Sequence, residues 1–274
     1  MDGQLAPAEP EFGTLKPRRA LRTALLLTRH IPGVWPGKTV ASIIKDLVWS
    51  SVGPAVDVDV FHCRMRLHPH DNLCEKRVLF TPQFFDASER RFLSERVRPG
   101  FTFVDIGANV GAYSLYVGRL CGGSGRIVAV EPDPVIYSRL RYNVDANDLG
   151  IITTVPSAVS DETGFVELYL NDHNRGQNSL VVGAGSALLV PAVTLLELLD
   201  AHDIARSDCL KIDIEGAEER VFARFLRDAA PERHPRSIIL EQIRDRDLSP
   251  AAELLLSHGY RILQRTRMNL ILER

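Results

Sequence analysis

Phe103-Val104-Asp105-Ile106-Gly107-Ala108-Asn109-Val110-Gly111, followed by Val128-Ala129-Val130-Glu131-Pro132-Asp133, decides how this 274-residue chain folds. An apolar strand runs into a glycine turn, a helix follows, and a second apolar strand ends in an acid. That order is the nucleoside-binding half of a doubly wound α/β sheet. Glycine at such a turn lets the backbone approach a ligand where a side chain would block it. An acid at the tip of the second strand can accept both hydrogen bonds of a ribose diol.

The turn also restricts the nucleoside. A dinucleotide pyrophosphate needs G-x-G-x-x-G at a helix N-terminus. Here Gly107 and Gly111 are separated by three residues, and Asp105 stands two residues before the first glycine. A carboxylate there repels a pyrophosphate and suits an ammonium group. S-adenosylmethionine carries a ribose diol, an α-ammonium and a sulfonium, and no phosphate. The sequence reading therefore sets Asp105 toward the methionine ammonium, directly or through water. Gly107 and Gly111 give close backbone approach, and Glu131 holds the ribose hydroxyls. A nicotinamide-dependent oxidoreductase is the rival on the same fold, and it lacks its pyrophosphate turn.

Charged residues make up 25% of the chain and the net charge is -2, which argues against a broad nucleic-acid surface. Cys63, Cys74, Cys121 and Cys209 form no C-x-x-C pair, so each is expected to pack as a small hydrophobe in a cytoplasmic protein. No apolar run approaches the ~20 residues of a membrane span.

Residues 1–55 read as a tail and a helical extension, and residues 56–274 as the main domain. A basic helix is expected over 18–30, with Leu21, Leu25 and Leu26 on one face. A second is expected over 40–49, burying Ile43, Ile44, Leu47 and Val48. This extension is either a helical cap on the main domain or a peripheral membrane contact. Val56, Val58 and Val60, then Cys63, Met65 and Leu67, alternate as a strand with a bulge near Phe61-His62. His68-Pro69-His70 lacks a third metal ligand in register and reads as a polar turn. A helix over 86–97 should turn Phe92, Leu93 and Val97 inward and leave Ser88, Glu89 and Glu95 near solvent.

Core strands are expected at 102–106, 126–131, 152–155, 209–214 and 237–242, and helices at 113–120, 134–145, 195–201, 218–226 and 250–258. Their alternation implies a mainly parallel sheet. Residues 260–263 and 269–272 supply a reversed final strand. Within the segment 164–189, residues 165–170 alternate as a strand. Asn171-Asp172-His173-Asn174-Arg175-Gly176-Gln177-Asn178-Ser179-Leu180 then form a polar loop, a candidate lid over the substrate.

The second unusual passage is Lys211-Ile212-Asp213-Ile214-Glu215-Gly216-Ala217-Glu218. Charges at the carboxyl end of a central strand are costly unless they face a ligand crevice. Glu218, in the first turn of a helix, is favoured by the helix dipole. Asp213 and Glu215 have no such explanation, and Glu241 ends another apolar strand whose tip can lie beside Asp213. Three carboxylates at one rim can act as general base or bind a divalent cation, and the sequence leaves both open.

Taken together, Asp105-Ile106-Gly107-Ala108-Asn109-Val110-Gly111, Glu131-Pro132, Val193-Thr194-Leu195, Leu210 through Glu218, and Leu240-Glu241 resemble the FkbM family of S-adenosylmethionine-dependent methyltransferases. The resemblance covers roughly residues 80–245. It implies a Rossmann-like class I methyltransferase fold and O-methylation of a hydroxyl on a sugar or secondary metabolite, a small-molecule acceptor. It also implies that Asp105, Gly107, Asn109 and Gly111 form the methionine-side turn, that Glu131-Pro132 meets the ribose, that Ser157-Ala158 borders the adenine and that Asp213 sits near the methyl donor. Asp213, Glu215 and Glu241 are the candidates to take the acceptor's proton, with His173 a further one. Leu196 departs from the family, which commonly has Asp there. A non-catalytic cofactor-binding subunit is the rival outside the enzymes.

Overall fold

The computed structural model describes residues 9–32, 36–171, 175, 180, 186–242 and 247–274. The chain opens with helices α1 (Arg19–His30) and α2 (Gly37–Val48), then strands β1 (Val56–Val60) and β2 (Cys63–Leu67), then helices α3 (Leu73–Phe80) and α4 (Ala87–Arg96). The central unit follows as β3 (Phe101–Ile106), α5 (Ala112–Leu120), β4 (Gly125–Val130), α6 (Pro134–Asp145) and β5 (Ile152–Val155). Strands β6 (Ala158–Ser160), β7 (Gly164–Tyr169) and β8 (Ala187–Thr194) then form a separate small sheet in the order β6-β8-β7. The chain returns through α7 (Leu195–Ala201), β9 (Cys209–Ile212), α8 (Glu218–Asp228), β10 (Ser237–Glu241), α9 (Pro250–Ser257), β11 (Arg261–Arg265) and β12 (Asn269–Glu273).

Seven strands build the main sheet in the order β11-β12-β10-β9-β3-β4-β5. β3 pairs parallel with both β4 and β9, and β9 with β10. Only β12 runs against its neighbours, so the expected final strand is a pair, β11 and β12, of which β12 is reversed. This is the mainly parallel, doubly wound α/β sheet expected for a Rossmann-like methyltransferase.

Period-two alternation sorts the core into two layers. Phe101, Phe103, Ile127 and Ala129 pack with Leu115 of α5 and Leu140 of α6. Val104, Ile106, Val128 and Val130 pack on the other face with Leu198 of α7, Phe222 of α8 and Leu255 of α9. Leu21 and Leu25 of α1 join the first layer, so the extension shares its core.

Four expectations need correction. Leu26 of α1 is exposed, and so are Ile43 and Leu47 of α2; only Ala41 and Gly37 of α2 are buried. An amphipathic pattern fixes the angular width of an apolar stripe, not which side meets the core. Phe61-His62 is not a bulge: β1 and β2 pair antiparallel, and φ of 54° and 59° at these residues makes a two-residue hairpin turn. Phe61 tolerates that backbone because its ring packs against Phe85 and Tyr116, with the Arg90 guanidinium over it. Glu89 is buried, not near solvent, and accepts hydrogen bonds from Thr266 Oγ1 (2.6 Å) and Asn269 Nδ2 (2.7 Å). The strand expected over 209–214 ends at Ile212, which leaves Asp213 and Glu215 in the turn beyond it.

Candidate active site

A cleft lies at the carboxyl ends of β3, β4, β9 and β10. There the chain, after building outward through β4 and β5, crosses back to β9 on the other side of β3. Ligands of open α/β sheets bind at such a switch point.

Its floor is the turn after β3. Gly107 has φ +70°, and a Cβ on it would lie 2.0 Å from the Asp213 carbonyl oxygen, so only glycine fits between the two turns. The N–H groups of Gly107 and Ala108 both donate to Val130 O (3.0 and 2.9 Å), which fastens the turn to β4. Asn109, at φ +51°, donates its N–H to Glu131 Oε2 at 2.9 Å. Its Oδ1 accepts from Val110 N (2.9 Å) and Asn72 Nδ2 (2.8 Å). Gly111 is placed otherwise than expected. It starts α5 at φ +87°, and the space of its missing side chain is filled by Leu140 of α6, 2.8 Å from where a Cβ would stand. The glycine thus lets α5 and α6 pack closely.

Asp105 also lies behind the wall instead of on it. It is fully buried, accepts from Ser114 Oγ of α5 at 2.6 Å, and faces the Lys211 ammonium at 3.7 Å. The parallel register makes Asp105 and Lys211 cross-strand partners. Lys211 Nζ donates to Gly107 O (2.7 Å) and lies 3.5 Å from Asp213 Oδ2, so one ammonium ties both turns together. Burial opposes its charge, but Asp213 and Asp105 hold its pKa above the ordinary lysine range. Burial pushes the Asp105 carboxyl up, and Lys211 and Ser114 pull it back.

Glu131 and Pro132 line the cleft beside the turn, and Ser157, Ala158 and Val159 stand on the same wall. Glu131 Oε1 accepts from Asp133 N at 3.0 Å, so each of its oxygens holds one backbone donor and keeps lone pairs for a ligand. Burial drives its pKa up to about 7, against the lowering effect of those two N–H groups. Asp133 caps α6 through Val135 N and Ile136 N, and pairs with Arg175 at 3.2 Å.

The rim is acidic. Asp213, Glu215 and Glu241 come together, each offering a carboxylate oxygen within 4.8 Å of the others. Glu215 sits at φ +55°, a strained conformation for a residue with a side chain, followed by Gly216 at φ +104°. Glu218 holds that loop in shape: its carboxylate accepts from Ile214 N (2.9 Å) and Gly216 N (3.1 Å). Glu218 is thus a loop clasp as well as a charge at a helix start. Burial, then Asp213 and Glu218, raise the Glu215 pKa to about 7. Burial, then Asp213 and Glu215, raise that of Glu241 to about 9. Oxygen-only donors at this spacing suit a hard divalent cation, and raised pKa values suit proton abstraction.

The sequence reading missed the wall facing this rim. Leu73, Cys74 and Arg77 of α3, with Phe85, Asp86 and Tyr113, line it, and Met268-Asn269 close one end. The signal for α3 was Asn72, whose side chain accepts from Glu75 N as its N-cap. Lys211 was visible as a charge in an apolar strand, but its partner needed the register. The lid proposed from the polar loop, including His173 and Gln177-Asn178-Ser179, lies mostly outside the described residues. Arg175 and Leu180, which are described, do line the cleft. Among the described residues all four cysteines are free, and no helix is long and apolar enough to cross a membrane.

The chain is similar to known methyltransferases. The methyltransferase sdnD of Sordaria araneosa is 28% identical over 188 residues, covering 56% of this chain and 70% of that protein. The hexuronic acid methyltransferase AglP of Haloferax volcanii is 23% identical over 131 residues, covering 48% of this chain and 52% of AglP, about half its length. The crystal structure of methyltransferase FkbM from Methylobacillus flagellatus KT matches with TM-score 0.43 at 18% identity, covering 74% of this chain and 54% of that one. The profile of the methyltransferase FkbM domain matches residues 105–262, more than half of the chain, and spans both acidic turns. The chain belongs to the FkbM family of methyltransferases.

Proposed function

We propose that this protein transfers the methyl group of S-adenosylmethionine to a hydroxyl of a sugar or secondary metabolite. The observation that carries the reading is one cleft holding the Gly107 turn, the Glu131 carboxylate and the rim of Asp213, Glu215 and Glu241. Carboxylates dominate this cleft, and its cations are engaged: Arg77 with Asp86, Arg175 with Asp133, and Lys211 with Asp105 and Asp213. Such a field fits a cationic sulfonium nucleoside and disfavours a dinucleotide pyrophosphate. The sulfonium supplies an electrophilic methyl carbon, and transfer to the acceptor oxygen is in line.

The work left to the chain is to hold both reactants and remove one proton. Glu131 accepts the ribose hydroxyls on lone pairs left over from its backbone donors. Lys211 pairs with both Asp105 and Asp213 beneath the turn, one ammonium between two carboxylates, and so fixes the floor on which the methionine end of the cofactor rests. The acceptor hydroxyl gives its proton to a carboxylate of the rim, Asp213, Glu215 or Glu241. A divalent ion held by the same three oxygens is the other way to lower the hydroxyl's pKa.

The test is release of S-adenosylhomocysteine from purified protein and S-adenosylmethionine, across hydroxylated acceptors, with magnesium and with a chelator. Product with a sugar or polyketide-like alcohol, lost in Asp213→Asn, supports the reading. Calorimetry showing NAD bound and S-adenosylmethionine ignored would sink it.

A further inference from the structure

Among the described residues eleven large hydrophobic side chains are exposed, and five of them sit on the α1–α2 pair. On α2, Val40, Ile43 and Leu47 are 41%, 55% and 77% exposed. Their spacing of three and four residues puts them on one helical face. On α1, Leu26 and Leu27 are 58% and 54% exposed, although the same helix buries Leu21, Ala24 and Leu25. A helix that has already satisfied its core should carry polar residues on its outer side. This pair carries leucines and isoleucine there.

The charge of the same segment is equally one-sided. From residue 16 to residue 50 the chain has seven Lys and Arg and a single acid, Asp46, although its net charge is -2. Arg18, Arg19, Arg22 and Lys38 are exposed around the apolar side chains. Arg29 and Lys45 are engaged within the fold: Arg29 donates to Leu79 O and Asp59 O, and Lys45 pairs with Asp46.

We propose that the α1–α2 pair docks this enzyme on an anionic lipid bilayer. Exposed apolar side chains enter the acyl boundary and the surrounding cations meet the headgroups, the two signals that peripheral binding requires together. A lipid interface needs only apolar bulk ringed by positive charge. The pair is fixed to the domain by Arg29 donating to Leu79 O of α3 and by Gln83 Nε2 donating to Thr28 O, and Leu73, Cys74 and Arg77 of α3 line the cleft. The docking claim itself does not rest on the methyl-transfer reading.

The experiment is co-sedimentation of the full chain with vesicles of phosphatidylcholine alone and of phosphatidylcholine mixed equally with phosphatidylglycerol. Binding should appear on the anionic vesicles and weaken steeply with salt. Ile43→Glu with Leu47→Glu should cut it about tenfold or more, and Arg18→Glu with Arg22→Glu by a similar factor. Phe165→Glu, an equally exposed hydrophobe on β7, is the control and should leave it unchanged. All these positions are exposed, so unchanged melting temperatures will separate lost docking from lost folding. No binding to anionic vesicles, or equal binding by the α2 double variant, overturns the proposal. Light scattering that shows a dimer dispersed by Ile43→Glu and Leu47→Glu, without vesicle binding, would assign the face to a second copy instead.

Discussion

At the turn after β3 every carboxylate is answered by a donor: Asp105 by Ser114 and Lys211, Glu131 by the N–H groups of Asn109 and Asp133. At the rim after β9 and β10 Asp213 has Lys211 beside it, while burial and then the neighbouring carboxylates raise the pKa values of Glu215 and Glu241. Both regions stand on the carboxyl edge of the same sheet, and both are acidic. The first spends its surroundings on fixing geometry. The second leaves carboxylates repelling each other in a half-buried place, where the repulsion is relieved by a proton or a cation. Under the proposed function the first is the binding surface, held in shape by the fold, and the second the reacting surface, relieved by its substrate.

The sharpest break in that comparison is to remove carboxylates from the rim. Replacing the proton acceptor by its amide should lower kcat about 10²- to 10⁴-fold with little change in affinity for S-adenosylmethionine. The pH profile says which residue it is. A base must be ionised, so rate rises with pH through its pKa. A limb near 7 that disappears in Glu215→Gln assigns the base to Glu215, and one near 9 that disappears in Glu241→Gln assigns it to Glu241. If the chelator abolishes turnover and magnesium restores it, the three act as ligands and the amide variants should instead raise the metal requirement.

Gly107→Ala attacks the contact between the two regions. A Cβ 2.0 Å from the Asp213 carbonyl cannot be absorbed by rotating a side chain, because both partners are backbone. We expect loss of stability on the order of 3 kcal/mol or more and loss of both cofactor binding and turnover, read by thermal melts and calorimetry. Gly111→Ala meets only the end of the Leu140 side chain, although its φ of +87° is still unfavourable. It should cost less than Gly107→Ala and spare the cleft. Equal damage from the two would mean that the turns are not locked together as described.

How far the sequence carries this comparison depends on which contacts are local. The floor was legible because a strand, a glycine turn and an acid-tipped strand are consecutive in the chain, and the parallel sheet followed from alternation alone. The convergence of Asp213, Glu215 and Glu241 was legible too, since adjacent parallel strands end at the same edge. What stayed hidden depends on register or on direction. Asp105 was set toward a ligand because its opposition to Lys211 and Ser114 is invisible before β3, β9 and α5 are laid side by side. Gly111 looked like its neighbour Gly107, and only Leu140 of α6 shows that it is packed. Glu89 looked like a surface residue until Thr266 and Asn269, far along the chain, supplied its donors.

Glu131→Gln sharpens the floor side. The amide keeps the size and one acceptor oxygen, yet its NH₂ faces the backbone donor that the second carboxylate oxygen now receives. S-adenosylmethionine should bind about 10- to 100-fold more weakly, with kcat at saturation changed much less. The mirror image, unchanged affinity and reduced kcat, would move Glu131 from the binding region to the reacting one.

The smallest effect is on stability, and it tests whether the rim is truly strained. Glu241 has its pKa raised from 4.5 to about 9, by burial and then by Asp213 and Glu215. A carboxyl with a raised pKa favours the folded state while it is protonated. That contribution is complete below the unfolded value near 4.5 and is lost as pH climbs through about 9. Glu241→Gln is permanently neutral and does not suffer the loss. Its melting temperature should match the wild type near pH 5 and exceed it by a few degrees, ~1 kcal/mol, near pH 9. If Glu241 is the base, the amide stabilises the protein in the same alkaline range where the ionised carboxylate is needed for turnover, the pattern of a charge that serves the reaction at the fold's expense. A melting difference that does not change with pH would mean that the neighbouring carboxylates are already neutralised by something other than Glu241's own proton.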